Sequence, residues 1–335
     1  MTILCLVRNP KDGSWAAFSD CLITTDESDS GPSFKTPIRV NLREAGTVGF
    51  AESALEEKLG FLEPGLVLGW AGSRQEAISV ANAIRSRRSD SEIQQICQQS
   101  SNCYFIARYG SGVQEYISMI GPGIERIESN GYEFYCAGSG ARILKGLKFT
   151  ARHRPLAEGA VDVVSALLSA LARFTSEEMA GQTSQFYSLR TGGHYQILCG
   201  VPGGVRRIHY NVNHWQQGEN EPLVMRISLP LEADGHQAFV SFDVGRNWEL
   251  EVFTAIALAP LLQSPRILSN IEIRPLDALV SKLAYCSFHV CWLKDSHQSF
   301  VVNLNEPFFE LVDDAVRLNA YDFRTQAMVR QMLAE

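Results

Sequence analysis

A chain of 335 residues is one large domain or two ordinary ones, long enough to bury a core without disulfide or metal staples. Its 45% hydrophobic and 20% charged content is the profile of a soluble globular protein. A net charge of −7 argues against a nucleic-acid footprint, which needs a basic face; Arg85, Arg87 and Arg88 read as a solvated helix end.

The N-terminal part reads as a strand, a turn at KDGS and a second strand, WAAFSDCLIT. The start has no basic region before its apolar run and meets Asn9-Pro10-Lys11-Asp12-Gly13 at once, so no signal peptide is expected. TTDESDSGPS is a loop and FKTPIRVNL a short strand. AESALEEKLGF, within residues 45–64, is expected to be a short helix ended by Gly60 and Pro64. GLVLGWAGS is an apolar strand running into the helix SRQEAISVANAIRS, with Ser73 as cap and Glu76 at the capping-box position. Ala77, Ile78, Ala81 and Ile84 recur there at helical spacing. The helix EIQQICQQS precedes strands at CYFIARYG, QEYISMIG and YEFYCAGSG. Two further helices, ARILKGLKF and EGAVDVVSALLSALARF, lead to strands at HYQILCGV and VRRIHYNV. This order predicts packed antiparallel sheets with helix layers rather than alternating βαβ units.

Beyond residue 216 the texture changes. QQGENEP is loop-like, and LVMRISLPL, QAFVSFDV and LEVFTAIAL are strand candidates. A helix at LDALVSKLAYCSF, a strand at SFVVNL and a helix around FFELVDDAVRLNA complete the reading. No apolar run reaches membrane-spanning length, because VFTAIALAPLL is short and contains Pro260. A soluble cytoplasmic protein without a membrane partner is expected. The 8 cysteines include no CxxC pair, and several lie in apolar runs, so they read as reduced core residues. His209 and His214 sit in IHYNVNHW without ligand spacing, so no metal or cofactor is expected.

Several segments together carry chemistry. They are Thr2 at the start of a strand with AAFSD closing the next, Lys35 in FKTPIRV, LGWAGS before a helix, CAGSGA, and LRTGGHYQILCGVPGGV. Alone, each has an ordinary reading: Asp20 as a turn residue, Lys35 as a surface charge, Gly72 as a helix entry, Ser139-Gly140 as a turn and cap. In this order, over roughly residues 2–215, they resemble the proteasome β-subunit family of N-terminal-nucleophile hydrolases. The resemblance implies an α+β fold, a four-layer αββα sandwich over residues 1–215, with a C-terminal α/β extension over 216–335 of unknown role.

The resemblance also implies roles. Thr2 is the nucleophile once Met1 is removed, and its own α-amine, with a reference pKa of about 7.7–8.0, is the base. Lys35 favours the deprotonated hydroxyl, and Asp20 orients Lys35 by a charge-assisted hydrogen bond. The Gly72 N–H faces the oxyanion, and Ser139 hydrogen-bonds the amine. The sequence departs from the family at Ser188, where the family has an aspartate, and at Thr191, where it has a serine; both are counted as site residues. A long connection from Lys35 to Gly72 and the C-terminal extension are further departures. The expected function is a threonine amidohydrolase, a peptidase on peptide or protein substrates, assembled as a homo-oligomer. The alternative is a catalytically inactive scaffold whose C-terminal region recognises a partner.

Overall fold

The computed structural model describes residues 2–26, 50–85, 89–110, 113–141, 163–168, 170–171, 195–201, 204–208, 210–215, 224–233, 236–244, 250–257, 261–262, 288–293, 298–303, 309–312 and 315–318. It begins with β1 (Ile3–Arg8), β2 (Trp15–Asp20) and β3 (Leu22–Asp26), then β4 (Phe50–Leu55), β5 (Leu59–Glu63) and β6 (Leu66–Ala71). Helices α1 (Arg74–Arg85) and α2 (Asp90–Gln98) follow. Next come β7 (Cys103–Gly110), β8 (Val113–Ile120), β9 (Glu125–Ser129) and β10 (Tyr132–Gly138). Helical residues 163–168 and 170–171 precede β11 (Tyr195–Val201) and β12 (Gly204–Arg207).

The turn between β1 and β2 is made by its own side chains. Asn9 Oδ1 accepts the Lys11 N–H at 3.0 Å, Asp12 Oδ1 accepts the Ser14 N–H at 2.8 Å, and Gly13 takes a φ of 74°. The two strands pair antiparallel, with Leu4 opposite Ser19. They lie inside a six-stranded sheet of order β12-β11-β2-β1-β10-β9. A second, four-stranded sheet has the order β5-β6-β7-β8.

Side-chain alternation decides the packing. Ile3, Cys5, Val7, Ala16 and Phe18 face a core shared with Val163, Val164, Leu167 and Leu171 of the helical stretch. Their neighbours Leu4, Leu6, Trp15 and Ala17 face the second sheet, where Val67, Phe105 and Ala107 meet them. Trp15 and Phe105 stack at 5.0 Å in a tilted arrangement, and the Trp15 indole donates to the Tyr109 hydroxyl at 2.9 Å. The other face of the second sheet, with Leu68, Trp70, Tyr104 and Ile106, is covered by Ala77, Ala81 and Ile84 of α1 and Ile93 and Cys97 of α2. A strand that is apolar at every position is therefore a strand buried on both faces.

The C-terminal part adds β13 (Tyr210–Trp215), β14 (Val224–Ala233), β15 (His236–Val244) and β16 (Leu250–Ala257), then β17 (Phe288–Leu293) and β18 (Gln298–Asn303). They form a six-stranded sheet of order β16-β15-β14-β13-β17-β18, antiparallel except where β13 runs parallel to β17. A hairpin of β19 (Phe309–Val312) and β20 (Ala315–Leu318) completes the strands.

These findings correct the expected fold class. The described residues are dominated by antiparallel sheet with few helices, not a four-layer αββα sandwich carrying an α/β extension. Two segments account for much of the difference. AESALEEKLGF, expected as a helix, is split between β4 and β5; Leu59 and Gly60 pair with Gly69 and Leu68 of β6. FFELVDDAVRLNA, expected as a terminal helix, is the β19–β20 hairpin, with Leu311 opposite Val316. In both places backbone pairing to a neighbouring strand outcompetes a weak helical preference. FKTPIRVNL, most of ARILKGLKF and LDALVSKLAYCSF apart from its final Phe288 lie outside the described residues. Among the described residues no helix is long and apolar enough to cross a membrane. Six described cysteines are buried and free, with Cys5 and Cys136 in Sγ contact at 3.3 Å across the β1–β10 pair.

Candidate active site

Thr2 lies immediately before β1 and is 1% exposed. Its hydroxyl oxygen is buried without a hydrogen-bond partner among the described residues. The next residue, Ile3, donates its N–H to Asp20 Oδ1 at 2.9 Å. Asp20 closes β2 and is fully buried. An antiparallel pair places the start of one strand beside the end of the other, which is why Ile3, next to Thr2, meets Asp20 across 17 positions of sequence.

Among the described residues the lysine on Asp20 is Lys58. Its Nζ lies 3.3 Å from both carboxylate oxygens, and it is 1% exposed. Lys58 stands just before β5, where its carbonyl accepts the Trp70 N–H at 2.9 Å and its ammonium lies 5.8 Å from the centre of the Trp70 ring. Lys35, expected in this role, lies outside the described residues, as do Ser188, Thr191 and Met1. Sequence reasoning missed Lys58 because Glu56-Glu57-Lys58 looks like a solvated helix face. One signal pointed the other way: Pro64-Gly65 between LGFL and LVLGW marks a hairpin and hence a strand beginning at Leu59.

Two glycines close the site from other strands. Ile3 pairs with Gly138, so the register carries Thr2 level with Ser139, the residue after β10. Gly138 has a φ of 86°, and a Cβ there would strike the Thr2 carbonyl and sit 3.4 Å from the Ala71 Cβ. Ala71 ends β6, so Gly72 follows within reach of the same corner. Gly72 has a φ of 136°, and a side chain on it would collide with Asn102 Oδ1. Asn102, which the sequence did not single out, is 2% exposed and holds Ser73 from both sides of its backbone: its Oδ1 accepts the Ser73 N–H at 2.6 Å and its Nδ2 donates to the Ser73 carbonyl at 2.7 Å. The capping box at Ser73 is accordingly incomplete. Glu76 turns away to take the Ser100 hydroxyl and the Ser101 N–H, both at 2.7 Å. Gly72→Ala should lower stability by about 1–3 kcal/mol through backbone strain and collision. Chemical denaturation measures it, and an unchanged midpoint would contradict this geometry.

The carboxylates before Lys58 are themselves buried. Glu56 binds the Arg74 guanidinium through two nitrogens. Glu57 takes Arg207 at 2.9 Å and the Gln196 amide at 3.2 Å, while Gln196 Oε1 accepts the Lys58 N–H at 3.2 Å. Burial pushes both carboxyls above their ordinary value of 4.5, against the opposing pull of the arginines. A carboxyl raised in the folded state holds its proton more tightly there than when unfolded. Its favourable contribution is present at low pH and is lost as pH rises from 4.5 through the raised value. Glu57→Gln cannot ionise, so its thermal midpoint relative to the parent should climb over that range. A difference that stays flat with pH would refute the assignment.

Thr2, Asp20, Ser139 and Gly72 each stand at a strand end, and among the described residues Lys58 is the lysine that pairs with Asp20. A buried hydroxyl one residue from the amide that a buried carboxylate–ammonium pair accepts, with a close-approach glycine against its carbonyl, is an arrangement suited to nucleophilic attack on a carbonyl. Among the described residues no group of three or more His, Cys, Asp and Glu side chains could hold a metal ion. No protein-family model and no curated protein matches the chain.

Proposed function

We propose that this chain is a threonine-type amidohydrolase acting on peptides, with Thr2 as nucleophile after Met1 is removed. The observation that supports it best is the buried Asp20–Lys58 pair, whose carboxylate also takes the amide of the residue after Thr2. The Thr2 hydroxyl attacks the amide carbonyl carbon and passes its proton to the Thr2 α-amine. The Gly72 N–H faces the tetrahedral oxyanion. Collapse expels the amine, which takes the proton, and leaves an ester on Thr2. Water then attacks the ester, releasing the acid and restoring the hydroxyl. Lys58 lowers the cost of the alkoxide by its charge, and Asp20 keeps that charge in place. Assembly into a homo-oligomer and a cytoplasmic location belong to the same proposal.

The test has two steps. Intact mass of protein made without an N-terminal tag reads whether Met1 is lost. A β-lactone probe then reads the nucleophile, because ring opening by a hydroxyl adds the whole probe mass. Mapping of that mass to Thr2 supports the reading; processed protein that never acquires it refutes the reading. The 1% exposure of Thr2 favours a second reading, a non-catalytic scaffold, and the unlabelled outcome selects it.

A further inference from the structure

Two adjacent buried carboxylates, Glu56 and Glu57, precede Lys58, at 1% and 5% exposure. Arginines supply part of what holds them. The rest arrives from far along the chain. The backbone N–H of Leu262 donates to Glu56, and that of Leu261 donates to Glu57. These leucines follow β16, the edge strand of the C-terminal sheet. Their side chains are buried in the core shared by β6, β7, α1 and α2. A Cβ on Gly60 would lie 3.0 Å from Glu57 Oε2 and 3.7 Å from the Leu261 Cβ, so the turn sits directly over the start of β5.

Leu262 also has a φ of 56°. That left-handed conformation is strained for an L residue, and a leucine keeps it only where surrounding contacts outweigh the strain. Here they are the apolar seat and the two amide–carboxylate hydrogen bonds. A chain merely passing over the surface would satisfy none of these conditions.

We propose that the Leu261–Leu262 turn is a positioning element for Lys58, so that the C-terminal region must be docked for the Lys58 ammonium to stand on Asp20. The turn supplies the donors that let Glu56 and Glu57 lie buried in the segment leading to Lys58. Undocking removes one donor from each carboxylate and uncovers the pair to water, leaving Arg74 on Glu56 and Arg207 with Gln196 on Glu57, so the segment loses what fixes it. The C-terminal region is then a built-in control: a binding event that pulls the turn away disarms the site. The catalytic consequence rests on the hydrolase reading; the docking does not.

The experiment uses the full chain with two readouts, hydrogen exchange resolved by mass spectrometry and β-lactone acylation of Thr2. Leu261→Asp with Leu262→Asp sets new carboxylates against Glu56 and Glu57. Leu262→Gly keeps both N–H groups and suits the left-handed φ. In the double variant, exchange at residues 56–60 should rise at least roughly tenfold while β1 stays protected, with acylation falling in parallel. Leu262→Gly relieves the left-handed φ but empties the apolar seat, so it should fall between the parent and the double variant in both. Unchanged protection at 56–60 in the double variant overturns the proposal, as does local loosening with undiminished acylation. If β1 also loses protection, Leu262→Ala decides: loosening confined to 56–60 supports the proposal and parental exchange overturns it. A parent that never acylates fails the hydrolase reading alone, because exchange still reports on docking.

Discussion

Lys58→Met should silence Thr2, while Lys35→Met leaves its acylation near the parental rate. Methionine fills much of the lysine volume without the charge, so the variant isolates the ammonium. Two effects follow from one change. Asp20, fully buried, is left without the Lys58 ammonium on its two oxygens, and breaking a buried pair from one side costs about 3–5 kcal/mol. Loss of the positive charge beside the hydroxyl should separately cut acylation by about a hundredfold or more, the scale of a single electrostatic catalytic group. A double variant, Lys58→Met with Asp20→Asn, separates them. It should recover much of the stability, because no isolated charge remains, and recover none of the reactivity. Denaturation midpoints and β-lactone acylation rates measure the two sides. Equal losses at Lys35 and Lys58, or full reactivity in Lys58→Met, would remove Lys58 from the site.

The second large effect is at the nucleophile. Thr2→Ala should lower turnover by at least roughly a thousandfold, since no other group can form the ester. The same variant should not lose stability. The Thr2 hydroxyl is buried without a partner among the described residues, and an unsatisfied buried hydroxyl costs about 1–3 kcal/mol, which offsets the methyl group lost with it. An inactive protein at least as stable as its parent is the pattern of a group kept for chemistry. Thr2→Ser keeps the hydroxyl and should keep measurable acylation. A marked drop in the melting midpoint of Thr2→Ala, with activity retained, would place Thr2 in the core as a packing residue and nothing more.

Much of the site was legible locally. Apolar runs at ILCLV and WAAFSD, split by Asn9, Asp12 and Gly13, specify a hairpin, because each feature acts within a few residues. That hairpin alone puts Thr2 near Asp20. LGWAGS followed by a capped amphipathic helix likewise marks Gly72 as the exit from a buried strand. The C-terminal strands LVMRISLPL, QAFVSFDV and LEVFTAIAL were recognisable by their β-branched and aromatic content.

Which lysine meets Asp20 was a different kind of question. Lys35 and Lys58 both lie between Asp20 and Gly72, and motif order cannot choose between them. What places Lys58 there is β5 pairing with β6, which brings it opposite Trp70 and over the end of β2. Asn102 gripping Ser73, Gln196 bridging Glu57 and the Lys58 amide, and Leu261–Leu262 seated on the two glutamates are of the same kind. Each joins residues from 29 to more than 130 positions apart. The sequence by itself determined the strands, the turn and the chemistry available at their ends, since propensity and alternation are local. Only the tertiary structure decided which charges share a desolvated corner, because a buried ion pair is selected by the geometry of long-range strand pairing, not by the identity of its members.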